Sequence, residues 1–302
     1  LTNEIYERGL IVKAQSGFFT VETSAGFVVC RLRGKLKQGR AEGDIAALGD
    51  QVQITILTDG SGVVENVQER KRAIVRLDPR PQGIYQQVLL ANADQAVFVF
   101  ACANPTPRLR MLDRFLVITE KQKIPAVIIA NKIDLVENAQ EIFNLYQSIG
   151  YRVIYTSTKT GAGLDELKTQ LQKKVSALAG PSGVGKSSLL NAIQDGLGLA
   201  VNEISSAMKK GRHTTVTRQM FALNGGGYVA DTPGWKSLAL WDTEAEEIDA
   251  YFPELRNLVP HCQFSDCTHK HEPGCAVLAA LKAGTIHPER YDSYLRLRAG
   301  QE

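Results

Sequence analysis

Eight consecutive residues, Gly180-Pro181-Ser182-Gly183-Val184-Gly185-Lys186-Ser187, fit the pattern G-x-x-x-x-G-K-[ST] at every fixed position, with Ser188 next in line. Such a stretch holds phosphates. The glycines let the backbone turn with its N–H groups inward, and a helix expected over residues 186–193 presents its positive N-terminal end to the same anion. Lys186 is placed to reach the β- and γ-phosphates of a nucleotide and Ser187 to ligate Mg²⁺. A glycine-rich turn before an ordinary helix would leave four matched positions and the apolar Leu189, Leu190 and Ile193 unexplained. The loop alone does not choose between ATP and GTP.

The base is chosen elsewhere. An apolar run over residues 126–130 leads straight into Asn131-Lys132-Ile133-Asp134, an N-K-x-D element at a strand's C-terminal end, where open α/β sheets bind ligands. The Asp134 carboxylate can accept two hydrogen bonds from N1–H and N2–H₂ of guanine, whereas adenine offers neither donor in that arrangement. Buried polar pairing of this kind rejects the wrong partner by roughly 10⁴-fold or more. Ser157-Thr158-Lys159, after the next strand, stands where an S-A-K element would contact the guanine edge, with Thr158 in place of Ala. That contact is made by a backbone N–H and tolerates the change. Downstream, Asp231-Thr232-Pro233-Gly234 is a D-x-x-G element: Asp231 is expected to hold Mg²⁺ through water and the Gly234 amide to sense the γ-phosphate. One of Thr214 and Thr215 is the expected second metal ligand from the protein. Trp235 comes after Gly234, where a water-orienting Gln is usual, and an indole only donates. His213 is the in-chain candidate to orient or deprotonate water, with an RNA contact as its alternative.

The order of these motifs is unusual. N-K-x-D and the S-A-K-like element precede the phosphate loop rather than succeed it, so the domain is circularly permuted. Permutation also relocates the chain ends, and movement over residues 231–237 would then be transmitted in covalent series to the C-terminal segment.

That C-terminal segment carries Cys262-x₄-Cys267-x-His269-x₅-Cys275. Three thiolates and an imidazole suit a closed, tetrahedral, structural Zn²⁺ site, which would staple a segment too small to build its own core. His261 and His271 are neighbours rather than ligands on this reading. Arg290, Arg296 and Arg298 on the last helix are expected either to touch phosphate or to solubilise the surface.

The elements that position these residues fall into an order. Residues 1–68 alternate in short strands (9–21, 26–33, 51–57 and 63–67), the pattern of an oligonucleotide-binding (OB) barrel. Arg31, Arg33, Lys35, Lys37 and Arg40 form a basic loop with no acidic residue before Glu42. Such loops and the adjoining strands bind nucleic acid. Residues 69–90, with Arg70-Lys71-Arg72, Pro79 and Pro81, read as a basic linker. Residues 91–243 alternate strands and helices as an α/β domain with a mainly parallel sheet, and residues 244–302 read as a helical metal-binding domain. At 302 residues, 44% apolar and 22% charged, the chain supports packed cores rather than disorder. A net charge of +3 gives no global attraction to nucleic acid, so binding must come from local clusters. No apolar run approaches a membrane span, and a cytoplasmic monomer is the expectation.

Taken together, the chain resembles the RsgA/YjeQ family of bacterial small-ribosomal-subunit biogenesis GTPases over nearly its whole length. The resemblance is carried by Ala91-Asn92-Ala93-Asp94-Gln95, Asn131 to Asp134, Gly180 to Ser188, Gly211-Arg212-His213-Thr214-Thr215, Asp231 to Gly234, and Cys262 through Glu272-Pro273-Gly274-Cys275. It implies a slow GTPase stimulated by the small ribosomal subunit, acting late in that subunit's maturation with GTP and GDP as ligands. It also implies rRNA binding through the barrel and zinc domains, alongside other maturation factors. Two other readings stay open: a nucleotide-gated RNA-binding switch, or a translation factor on assembled ribosomes. A metabolic kinase would leave N-K-x-D without a purpose.

Overall fold

The computed structural model describes residues 5–37, 43–80, 83–194, 196–197, 218–231 and 243–301. Alternation builds the N-terminal barrel from β1 (Ile5–Gln15), β2 (Phe18–Thr23), β3 (Gly26–Leu32), β4 (Gln51–Ile56) and β5 (Gly62–Val67). The strands run in the order β1-β2-β3-β5-β4 and close back onto β1. Every second side chain turns inward, so Phe19, Val21, Cys30, Val52, Ile54 and Val64 share one core. An irregularity between Ile11 and Lys13 lets Ile11 pair with the inward Val21 while Lys13 pairs with Thr20 on the outer face.

The expected linker is instead an ordered ribbon. Strands β6 (Ala73–Arg80) and β7 (Gly83–Ala91) pair antiparallel from Ala73–Ala91 to Arg80–Gly83. Ile74, Val88, Leu89 and Leu90 are buried, and Arg70 grips the fully buried Asp50 carboxylate through Nε (2.8 Å) and Nη2 (2.7 Å). Pro79 misleads as a breaker because it sits near the tip of a two-stranded ribbon, paired with Ile84, where a missing N–H costs little.

The central sheet runs β10-β9-β8-β11-β13-β12, with β8 (Gln95–Ala101), β9 (Ala126–Asn131), β10 (Arg152–Thr156), β11 (Val175–Ala179), β12 (Arg218–Ala222) and β13 (Tyr228–Asp231). Only β12 is antiparallel to its neighbour in it. Strand β8 is buried along its length because both its faces are covered. Phe98 and Phe100 point into the core shared with helices α1 (Leu109–Lys121) and α2 (Ala139–Ser148), and Val97 and Val99 into the core with α3 (Leu164–Leu171) and α4 (Lys186–Ile193). Strand β1 pairs with β12 at Lys13–Gln219 and Ala14–Arg218, which makes barrel and central sheet one eleven-stranded system.

The C-terminal segment has short helices, α5 (Pro253–Arg256), α6 (Ala276–Lys282) and α7 (Pro288–Arg298), after a 3₁₀ turn over Ala245–Tyr251. Its core of Ile248, Phe252, Leu255, Val277, Ile286 and Tyr294 includes Val117 from α1. Arg290 neither solubilises the surface nor reaches for phosphate. It is fully buried, donating to Asp113 Oδ1 at 2.7 Å and Glu254 Oε1 at 2.6 Å. Burial works against the charge, but those two carboxylates outweigh it and hold the guanidinium above the ordinary arginine pKa. Arg296 pairs with Asp292, and Arg298 donates to the Ala245 carbonyl.

Candidate nucleotide site and metal centre

Three loops meet at the C-terminal ends of neighbouring strands. The first leaves β11 at Gly180, whose φ of +150° and whose place against β8 exclude a side chain: a Cβ there would lie 2.1 Å from the Val99 carbonyl oxygen. The loop ends at Gly185, with φ +95°, where a Cβ would lie 2.5 Å from Asn131 Nδ2. Lys186 and Ser187 open α4 and are buried, and Lys186 Nζ donates to the Gly180 and Pro181 carbonyls at 2.9 Å each. The ammonium therefore already lies within the curl of the loop.

The second loop begins as β9 ends. Asn131 is buried and bridges both neighbours: its Nδ2 donates to the Val184 carbonyl at 2.8 Å, and its Oδ1 accepts from Thr156 Oγ1 at 3.0 Å. Lys132 adopts a left-handed φ of +60°, which sends its Nζ across to the Gly183 carbonyl at 2.7 Å and to the Asn104 carbonyl. Asn131 and Lys132 thus brace the phosphate loop from the side. Asp134 stays exposed, and its Oδ1 accepts from Ser157 Oγ at 2.6 Å.

The third loop leaves β10. Ser157 is fully buried, and its Oγ also accepts from the Lys159 and Thr160 amides at 3.2 Å each. The hydroxyl locks the turn and orients the Asp134 carboxylate, while Thr158 and Lys159 remain exposed beside it. Asp231 ends β13 in register with Leu178 on β11, next to the phosphate loop's strand. His213, Thr214, Thr215, Gly234 and Trp235 lie outside the described residues.

Sequence reasoning gives Thr156 no role beyond the start of the S-A-K-like run and overlooks Asn104; the two complete the brace. Thr156 was visible only as the polar end of a strand, and Asn104 had no motif to mark it.

The four predicted metal ligands do come together. Their donor atoms, on Cys262, Cys267, His269 and Cys275, lie within 4.8 Å of one another. Cys262 Sγ is 3.9 Å from Cys275 Sγ, and His269 Nδ1 is 3.6 Å from Cys262 Sγ and 3.3 Å from Cys275 Sγ. A tetrahedron with metal–sulfur bonds of ~2.3 Å and a metal–nitrogen bond of ~2.05 Å has edges of about 3.8 and 3.6 Å, so the cluster fits a zinc-sized ion. Burial, with Cys275 and Cys262 beside it, pushes the Cys267 thiol up to about 12, so a cation would have to supply the charge that holds it as a thiolate. His269 is fully buried, and its other nitrogen, Nε2, faces Asp249 Oδ2 at 3.1 Å. That is the carboxylate that commonly orients a ligating imidazole. No spacing rule points to Asp249, which lies in the preceding 3₁₀ turn. His261 and His271 are exposed and take no part in the cluster. Among the described residues, no helix is long and apolar enough to cross a membrane.

Comparison with known proteins agrees with this arrangement. The model of the RsgA GTPase family matches residues 67–241, and that of the RsgA N-terminal domain matches residues 8–64. The small ribosomal subunit biogenesis GTPase RsgA of Moorella thermoacetica is 42% identical over 292 residues, covering 96% of each chain. The protein of the same name from Gemmatimonas aurantiaca is 43% identical over 299 residues, again covering 96% of each. Among solved structures, YjeQ from Thermotoga maritima superposes with a TM-score of 0.78 at 37% identity, covering 98% of both chains. YloQ, described as a circularly permuted GTPase, gives 0.74 at 33% identity, covering 98% of this chain and 94% of its own. The permuted order of the N-K-x-D and G-x-x-x-x-G-K-S loops on one sheet, with these matches across the chain, shows that this protein belongs to the RsgA GTPase family.

Proposed function

We propose that the chain hydrolyses GTP in the cytoplasm, acts late in maturation of the small ribosomal subunit and binds that subunit's rRNA; its relatives are named small ribosomal subunit biogenesis GTPases. The observation that carries the guanine reading is the pair Asp134–Ser157: an exposed carboxylate held in place by a buried hydroxyl at 2.6 Å, at the mouth of a phosphate loop. A carboxylate fixed this way accepts from two guanine donors without first losing rotamer freedom.

Within this reading the Gly180–Ser188 backbone and Lys186 hold the phosphates, Asn131 and Lys132 keep the base loop against them, and the turn at the exposed Thr158 and Lys159 faces the guanine edge. Ser187, Asp231 through water, and Thr214 or Thr215 hold Mg²⁺, which supplies positive charge to the phosphates. Because Trp235 stands where a water-orienting Gln is usual, His213 is proposed to orient the attacking water, and turnover without the subunit is slow. Cys262, Cys267, His269 and Cys275 hold one structural Zn²⁺ with no coordination position left for chemistry.

Phosphate release from GTP and from ATP, each with Mg²⁺ present and then chelated, tests the assignment. GTP should be turned over slowly and only with Mg²⁺, with ATP near background. Equal turnover of ATP would remove the guanine reading.

A further inference from the structure

Helices α1, α2 and α7 meet around a cavity of about 1040 Å³ that the nucleotide loops do not line. This is at the upper end of the roughly 300–1,000 Å³ that drug-sized ligands fill. Its apolar lining is Met111 from α1, Leu145 and Tyr146 from α2, and Leu297 from α7. Its charged lining does not balance. Arg108, Arg110, Arg114 and Arg296 share the wall with Asp113, Glu289 and Asp292. Asp113 is taken by Arg290 at 2.7 Å, in the junction that also holds Glu254. Asp292 serves two arginines, accepting from Arg296 Nε at 2.8 Å and lying 3.2 Å from Arg110 Nη2. With Arg290 and Glu254 included, five guanidiniums meet four carboxylates, which leaves one positive charge over. Among the described residues, the exposed Arg108 side chain meets no carboxylate, so the surplus sits there.

We propose that this cavity binds a small organic anion, with an aromatic or branched apolar body against Met111, Leu145 and Leu297 and a carboxylate or phosphate group at Arg108. A guanidinium presents its donors in a planar fork that clasps either group through two hydrogen bonds. Nucleic acid does not suit the cavity, because a phosphate backbone needs a row of cations and here one surplus charge stands beside an apolar floor. Enclosure by three helices favours a compact ligand over a flat partner surface. Helices α1 and α2 belong to the central domain and α7 to the C-terminal segment, so the cavity is complete only while the two are docked. A molecule bound there stabilises the docked arrangement by mass action, beside the Arg290–Asp113 pair. It acts on the junction without touching the nucleotide.

Titration calorimetry of the full chain, saturated with GDP and Mg²⁺ so that the phosphate loop does not compete, tests this with naphthoate, the uncharged naphthylmethanol and inorganic phosphate. Naphthoate should bind at a single site, roughly 10-fold or more tighter than either of the others, because each of them lacks half of the match. Arg108→Gln should weaken naphthoate binding roughly 10-fold and leave naphthylmethanol unchanged, and Arg108→Lys should recover part of the loss. Arg108 is exposed, so these changes leave the fold intact. Adding naphthoate should also slow hydrogen exchange in the first turns of α1 and along α7. No binding of naphthoate, equal binding of naphthoate and naphthylmethanol, or naphthoate affinity unchanged in Arg108→Gln overturns the proposal. Protection confined to the barrel, where Phe18 and Phe27 are exposed, overturns it as well by placing the probe there.

Discussion

Among the described residues, Asp134 accepts the 2.6 Å bond from Ser157, and its exposed position leaves lone pairs for a ligand. An acceptor-only carboxylate selects a base edge with two donors. Asp134→Asn replaces one acceptor oxygen by a donor NH₂, which suits xanthine, whose C2 oxygen accepts. Competition binding should show GTP affinity falling roughly 100-fold or more while XTP affinity rises, with ATP still excluded. Retained preference for GTP over XTP would remove Asp134 from the base site. At this scale the sequence made legible the loops that the structure brings together around Asn131, Asp134, Ser157 and Lys186, because such motifs are short and their spacing is dictated by chemistry. Illegible were the partners that arrive from other segments: Thr156 on Asn131, Asn104 on Lys132 and Asp249 on His269. Each is an ordinary polar residue whose role exists only once strands are in register.

Among the elements, the Cys262–Cys275 knuckle has the residues to hold a metal and would depend on it. Its helices are short: α5 has four residues, α6 seven and α7 eleven. Helices this short are marginal without tertiary support. The loop between ligands is stapled by Glu272, which accepts from the amides of Thr268, Lys270 and His271 and from the Thr268 hydroxyl. Chelating the metal should expose residues 245–301 to rapid hydrogen exchange while nucleotide affinity holds. Asp249→Asn keeps the four ligands but weakens the acceptor behind His269, and should lower zinc affinity roughly 10- to 100-fold in competition with a chelating dye. Unchanged affinity would make Asp249 a packing residue. The ribbon of β6 and β7 teaches the opposite lesson. Two prolines and three consecutive basic residues read as a linker, yet Arg70 on buried Asp50 and Tyr85 on Asp44 fix the stretch to the barrel side. Those pairings join residues 20 and 41 positions apart, beyond the reach of local pattern.

Across the whole molecule, two junctions connect the nucleotide site to the domains on either side of it. Strand β12, the next described element after Thr214 and Thr215, pairs with β13 on one edge and with barrel strand β1 on the other. Arg290 forms the second junction, since Asp113 belongs to α1 of the central domain and Glu254 to the C-terminal one. Arg290→Met leaves two carboxylates buried without their cation, a loss of about 3–5 kcal/mol for a broken buried pair. Limited proteolysis should then release the segment from residue 243 onward more readily. Replacing Asp113, Glu254 and Arg290 together by apolar residues of like volume should recover most of that loss, because no charge is left unpaired. Permutation makes these junctions meaningful: residues on either side of Asp231 continue into β13 and into Thr243, whose Oγ1 accepts from Lys121 Nζ at 2.8 Å. The most direct test of a GTPase completed by the small subunit is single-turnover hydrolysis of GTP with and without purified small subunits. A rate raised by roughly 10³-fold or more is predicted, in line with activators that order a switch and supply a missing group; the same rate in both conditions would contradict it.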